Sequence, residues 1–232
     1  MNECLDQIQL VEQIKHIIKS KHWYALTESS RFVWEKSVEL MAEMINKEIG
    51  HIEPQQIEEI IENSFDSEAL SKVGPRYFVD RLLEIDPELV LWSEGDPVWQ
   101  KLKAEKTGLT DRSGLRAEFI SKNKTNKLKD VILSFANKFG EKVRVIIIDD
   151  KEKNLIHAAS LQDQVANSGI AISTFHLNLL DIKANPTACL IFLSEIQEKN
   201  IKLIVDMDGV LVNTDQVLSE IVSKKLADIL KK

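Results

Sequence analysis

Ile201-Lys202-Leu203-Ile204-Val205-Asp206-Met207-Asp208-Gly209-Val210-Leu211 is the stretch on which the reading of this chain turns. An apolar, β-branched run stops at two aspartates. Such a run reads as a strand buried in a parallel sheet, because strands covered on both faces carry near-continuous apolar residues. In open α/β sheets, ligand chemistry gathers at the carboxyl ends of the strands. Asp206 and Asp208 are two apart, so on an extended strand their side chains share a face. Gly209 permits the chain to turn immediately after them. Two carboxylates at one strand tip repel each other unless a cation, a proton or a hydrogen-bond network offsets them. For oxygen ligands a hard divalent ion such as Mg²⁺ is the usual solution.

Working outward, Val143-Arg144-Val145-Ile146-Ile147-Ile148 is the clearest buried strand, and it too ends in paired acids, Asp149-Asp150. Leu89-Val90-Leu91-Trp92 runs into Ser93-Glu94-Gly95-Asp96, a turn able to aim a hydroxyl and backbone N–H groups at an anion. A short strand over Ala117–Ser121 precedes the cationic cluster Lys122, Lys124, Lys127 and Lys129 and a helix over about Asn126–Phe139. A further strand covers Gly169–His176. Helices over Asn154–Val165, with Ala158-Ala159 against the sheet, and from Pro186 to about Lys199 supply crossovers, which parallel strands require. An amphipathic helix covers about Gln216–Leu230.

Residues 1–86 read as helices alone. Leu5, Ile8, Leu10, Val11, Ile14, Ile17 and Ile18 recur near helical spacing. A second helix covers about Glu28–Glu48, Pro54 opens a third, Gly74-Pro75 breaks the pattern, and a fourth covers Arg76–Ile85. Trp23, Tyr24 and Trp34 read as core or domain-contact residues. His16, His22 and His51 have no partner at a ligand spacing.

At 232 residues the chain is long enough for one sizeable α/β domain, or a core with a smaller domain beside it. Its hydrophobic share of 44% and charged share of 29% are those of a soluble globular protein. A net charge of −7 argues against nucleic acid as a partner. No apolar run approaches the roughly 18 residues that span a bilayer, and the polar, acidic N-terminus is unlike a signal peptide. Cys4 and Cys189 fit no metal-ligand spacing and read as reduced thiols in a cytoplasmic protein.

Asp206-x-Asp208-Gly209-Val210-Leu211 resembles the first motif of the haloacid dehalogenase superfamily. The resemblance implies that Asp206 is a nucleophile forming an aspartyl-phosphate, with Asp208 the general acid/base. An acid at 208 argues against dehalogenation itself. Ser93 resembles the second motif, whose hydroxyl binds the transferring phosphoryl group. Lys124, with Lys127 as the alternative, resembles the third, a lysine that offsets phosphoryl charge just before a helix. Asp149-Asp150 resembles the fourth, paired acids that hold Mg²⁺. The implied metal set is Asp206, Asp208 through its backbone carbonyl, and Asp149 or Asp150. Receiver domains also place paired acids at a strand end, but the order of elements here does not suit them.

The motif order is permuted. In an ordinary member the nucleophile strand comes first; here it comes last, and joining Lys232 to Met1 restores the usual order. The implied fold is a haloacid-dehalogenase-like, Rossmannoid three-layer α/β core with a central parallel sheet, plus an all-helical cap, circularly permuted. Residues 1–86, completed by 216–232, are the expected cap and 87–215 the core. The expected strand order, in the family's numbering, is 5-4-1-2-3, with the Asp206 strand between the Val143 and Leu89 strands. The implied activity is Mg²⁺-dependent hydrolysis of a small phosphorylated metabolite, with no nucleic-acid or membrane partner. Alternatives are a phosphomutase or phosphotransferase of the same superfamily, or a non-catalytic binding or regulatory protein on that fold.

Overall fold

Five strands form one parallel sheet: β1 (Val90–Glu94), β2 (Arg116–Ile120), β3 (Val143–Asp149), β4 (Ile170–His176) and β5 (Ile201–Asp206). Their order across the sheet is β2-β1-β5-β3-β4. The last strand in the chain is therefore the central one, between β3 and β1, as expected. The computed structural model describes residues 2–20, 34–68, 73–95, 97–110, 115–120, 124–139, 142–191, 200–212, 214 and 217–231.

Burial explains why the central strands are largely apolar. Val143, Val145 and Ile147 of β3 join Val90, Trp92 and Ile204 in a cluster on one face. Leu128, Ile132 and Phe135 of helix α6 (Lys124–Phe139) cover it, with Leu155 and Ala158 of helix α7 (Glu152–Ser160). Residues of the other parity, Leu91, Ile146, Ile148, Leu203 and Val205, are also wholly buried, so the second face is covered too. Each fully buried aliphatic side chain contributes about 1.5–3 kcal/mol. A sheet with so many of them tolerates polar, mutually repelling strand tips.

Two compact units divide the chain. The sheet unit comprises Leu70–Gly95 and Gly108–Asn213; the helical unit comprises Met1–Ala69, Asp96–Thr107 and Thr214–Lys232. This differs from a boundary at residue 86 in two places. Helix α4 (Val73–Ile85) belongs with the sheet, where it packs on helix α9 (Leu179–Ala184). Helix α5 (Pro97–Lys106) belongs with the helices, where Trp99 meets Phe65 edge-to-face at 5.2 Å and Lys106 pairs with Glu62 at 3.7 Å.

In the helical unit, α1 (Asn2–Ser20) packs on the C-terminal helix α10 (Ser223–Leu230), and Gln7 Nε2 donates to Asp228 Oδ1 at 2.7 Å. Helix α2 (Trp34–Glu48) packs on α3 (Pro54–Glu68). Ile14, Ile17, Met41, Ile45, Ile57, Ile61 and Leu226 fill the core. Lys103 is buried there, its amine 5.3 Å from the Trp99 ring centre and 3.3 Å from Thr214 Oγ1. An aromatic face and a hydroxyl are partners that a cation can accept away from water.

Several boundaries depart from the sequence reading. Gly74 and Pro75 lie inside the first turn of α4 rather than before it; proline is tolerated there because first-turn N–H groups have no helical acceptor. Helix α6 begins at Lys124, two residues before the start expected at Asn126. The single helix expected over Asn154–Val165 is two, α7 and the short α8 (Gln162–Val165), and Ala159 is exposed while Ala158 packs on the sheet. After β4 the chain forms α9, which was not anticipated, and Pro186 leads into a 3₁₀ turn at Ala188–Leu190. The helix read from Gln216 is a π-helix over Val217–Val222 followed by α10. The wider π turn keeps Val217, Leu218 and Val222 all buried. Trp23, Tyr24, His22 and the start expected for the second helix lie outside the described residues, as does the segment expected to continue to Lys199. No helix among the described residues is long and apolar enough to cross a membrane.

Candidate functional site

Register brings the acids together. β3 and β5 pair with Ile148 opposite Val205, so Asp149 and Asp206, one residue further on, stand at adjacent strand tips. Neighbouring strands lie about 4.8 Å apart. On its other side β5 pairs with β1, Trp92 opposite Asp206. Ser93 therefore comes level with the turn after β5, where Met207 N donates to Trp92 O at 3.3 Å.

One carboxylate oxygen from each of Asp149, Asp150 and Asp206 lies within 4.8 Å of the other two. Asp149 and Asp206 are buried, and Asp150 is half-buried. Oδ2 of Asp206 and Oδ1 of Asp150 have no contact with solvent. At an effective dielectric of about 20, two unit charges at such a separation repel by about 3–4 kcal/mol. Three carboxylates so arranged call for positive charge. Their donor set, all hard oxygen, fits a divalent cation such as Mg²⁺.

Further contacts fix the cluster. Asp149 Oδ1 accepts from Lys151 N at 2.8 Å, and Asn154 Nδ2 reaches both carboxylate oxygens at 3.0 and 2.9 Å. Asn154 stands in the first turn of α7, so the helix that follows the acid pair also clamps it. Gly209 has φ +90°, and a Cβ there would land on the Asp150 carboxylate. Only glycine lets the turn after β5 come so close to the turn after β3.

Asp208 is set apart. Its carboxylate is absent from the group of three and instead meets Ser93, whose Oγ donates to Asp208 Oδ2 at 3.4 Å. Ser93 is the fourth residue of β1 and buried, not part of a turn. The N–H groups of Gly95 and Gly209 donate to Ile120 O and Val212 O, so neither glycine supplies an anion-binding donor. Lys124 is the first residue of α6; its side chain lies outside the described residues. Lys127, a turn away, is exposed.

Sequence reasoning missed Asn154 and His176. Asn154 was findable as a polar residue one helical turn beyond the acid pair. His176 stands at the tip of β4, opposite Asp149, and nothing in the linear sequence marks it. The remaining candidates stand elsewhere. Two open hollows of about 330 and 350 Å³ lie in the helical unit, one lined by His16 and Glu48, the other by Asn63 and Lys225. Neither includes the acids. Burial, and secondarily the Asp181 carboxylate, push the Cys189 thiol up from its ordinary range, as suits an unreactive thiol.

Fold and site together define an α/β protein with a buried carboxylate cluster at the carboxyl edge of a parallel sheet. Comparison with protein-family models, curated proteins and solved structures finds no match to this chain.

Proposed function

We propose that the chain is a Mg²⁺-dependent phosphohydrolase of the haloacid dehalogenase type, circularly permuted, acting on a small phosphorylated metabolite. One observation carries the reading: the four acids divide, three gathered within 4.8 Å of one another and the fourth, Asp208, turned to Ser93. A metal needs grouped carboxylates; proton transfer needs one held apart. The central position of β5 and the packing of α1 on α10 support the permuted order.

Asp149, Asp150 and Asp206 would hold the ion, with the Asp208 carbonyl as a further oxygen ligand. When bound, it supplies positive charge that offsets the phosphoryl oxygens. The carboxylate of Asp206 attacks phosphorus, forming an Asp206–phosphoryl bond as the bond to the leaving oxygen breaks. No separate base is needed for an ionised nucleophile. Asp208, protonated, gives its proton to the leaving alkoxide. It then takes a proton from water, whose oxygen attacks phosphorus, releasing phosphate and restoring Asp206. Ser93 holds Asp208 through its single O–H in the structure; with substrate bound, that O–H would turn to a phosphoryl oxygen and Ser93 Oγ would accept from the protonated Asp208 carboxyl. Lys124 adds positive charge on the same group.

Asp206→Asn keeps the side chain's size and removes its charge. Hydrolysis of p-nitrophenyl phosphate with Mg²⁺ is expected to fall to roughly a thousandth or less of wild type. Equal rates in the two proteins would reject Asp206 as nucleophile.

A further inference from the structure

The loop after β4 is tied to both acid-bearing turns. His176 Nε2 lies 2.9 Å from the carbonyl oxygen of Asp150. Leu177 N donates to Asp149 O at 3.3 Å, and Leu179 N donates to Gly209 O at 2.7 Å. Residues 176–179 thus reach from the turn that carries Asp150 to the turn that follows Asp206. A carbonyl only accepts, so the imidazole nitrogen facing Asp150 carries the hydrogen. Register delivers the ring there, since β4 pairs His176 with Asp149.

Asp150 is the one member of the acid group that lies beyond the end of its strand. The sheet ladder fixes the backbone of Asp149 and Asp206, but not that of Asp150. Its carboxylate also has to lie over Gly209, where any Cβ would displace it. A small rotation of the Asp150 peptide would swing the carboxylate off the glycine. The His176 hydrogen bond opposes that rotation from the carbonyl side. The ring itself is exposed, so it adds little to the hydrophobic core.

We propose that His176 is a positioning residue of the candidate metal centre, holding the Asp150 peptide so that the carboxylate stays over Gly209 beside Asp149 and Asp206. This rests on the metal reading proposed above. Partners one step removed from a metal ligand commonly change affinity by about 10–100-fold when removed.

The test is calorimetric titration of the full chain with Mn²⁺, alongside the melting temperature of the metal-free protein. Wild type is expected to bind one ion that Asp206→Asn does not. His176→Ala is expected to bind about tenfold more weakly, with its metal-free melting temperature close to wild type. His176→Gln, whose amide can donate to the same carbonyl, is expected to recover affinity to within about threefold of wild type. If His176→Ala does not fold, His176→Phe, which keeps a ring and removes the donor, replaces it. Wild-type affinity in the variant that lacks the donor, while Asp206→Asn still fails to bind, would overturn the positioning role and leave the metal reading standing. Wild type that binds no Mn²⁺, or Asp206→Asn that binds as well as wild type, would overturn both.

Discussion

Gly209 concentrates the demands of the site on one residue. Its φ of +90° is a conformation that residues with a Cβ adopt at a cost of about 1–2 kcal/mol. The missing side chain also leaves the space that the Asp150 carboxylate occupies. The two effects are separable. Gly209→Ala is expected to lose about 1–2 kcal/mol of unfolding free energy in urea from the backbone alone. Its Mn²⁺ affinity should fall by about tenfold or more, because Asp150 must move. Unchanged affinity in a destabilised variant would show that Asp150 is not needed where it lies. At this scale the residues legible in the sequence were those that end an apolar run: Asp149, Asp150, Asp206 and Ser93. Asp208 was legible as well, but its turn toward Ser93 was not, because an extended strand would put residues 206 and 208 on one face, whereas β5 ends at Asp206 and the chain bends at Met207. Asn154 and His176 act through a helical turn and an inter-strand register, and neither relation exists in the linear order.

The elements hold the site from both ends of β5. Asp206 is at its carboxyl end, while at the other end Lys202 is buried with Asp86. Lys202 Nζ lies 2.8 Å from Asp86 Oδ1 and 3.3 Å from Glu88 Oε2, and Asp86 Oδ2 accepts from Leu203 N at 2.8 Å. Asp86 follows α4 directly, so this cluster sets where the chain enters β1 and how β5 begins. Removing Asp86 leaves Lys202 with only the partly exposed Glu88 carboxylate and takes away the acceptor of Leu203 N; loss of a member of a buried ion pair costs about 3–5 kcal/mol. Asp86→Ala is therefore expected to lower unfolding free energy by about that amount, measured by denaturant titration, with Mn²⁺ affinity unchanged because the pair lies at the far end of the strand. A loss under about 1 kcal/mol would mean that the pair behaves as a solvent-exposed one. Strands covered on both faces announce themselves by composition, which is why β3 and β5 were legible almost to the residue. Lys202 reads as an interruption of the run, since nothing nearby in sequence reveals a carboxylate more than a hundred residues away. Helix ends were less legible. A π turn depends on which side chains its neighbours bury, and a helix as short as α9 leaves too few residues to show a period.

For the whole molecule, the permutation proposed above makes a mechanical claim. It requires that the first and last helices form one continuous structure and that the chain can be opened ahead of β5 without loss of the sheet. Gln7 and Asp228 are in direct contact, six residues from the first residue and four from the last. A Gly/Ser linker of about twelve residues reaches roughly 40 Å when extended, enough to join such ends. The rearranged chain would be opened between Glu198 and Lys199, so that β5 comes first and the helices of the C-terminal and N-terminal segments follow it without interruption. Sheet order and register do not depend on which strand is made first; only loop closure changes, and each doubling of a loop costs about 0.6 kcal/mol. The rearranged protein is accordingly expected to fold, to unfold within about 1–3 kcal/mol of wild type, and to keep Mg²⁺-dependent hydrolysis of p-nitrophenyl phosphate within about tenfold. Circular dichroism, denaturant titration and the phosphatase assay read these three quantities. A rearranged chain that stays unfolded, with the linker lengthened and the parent chain folded under the same conditions, would show that the present order of elements is required and would remove the permutation from the proposal.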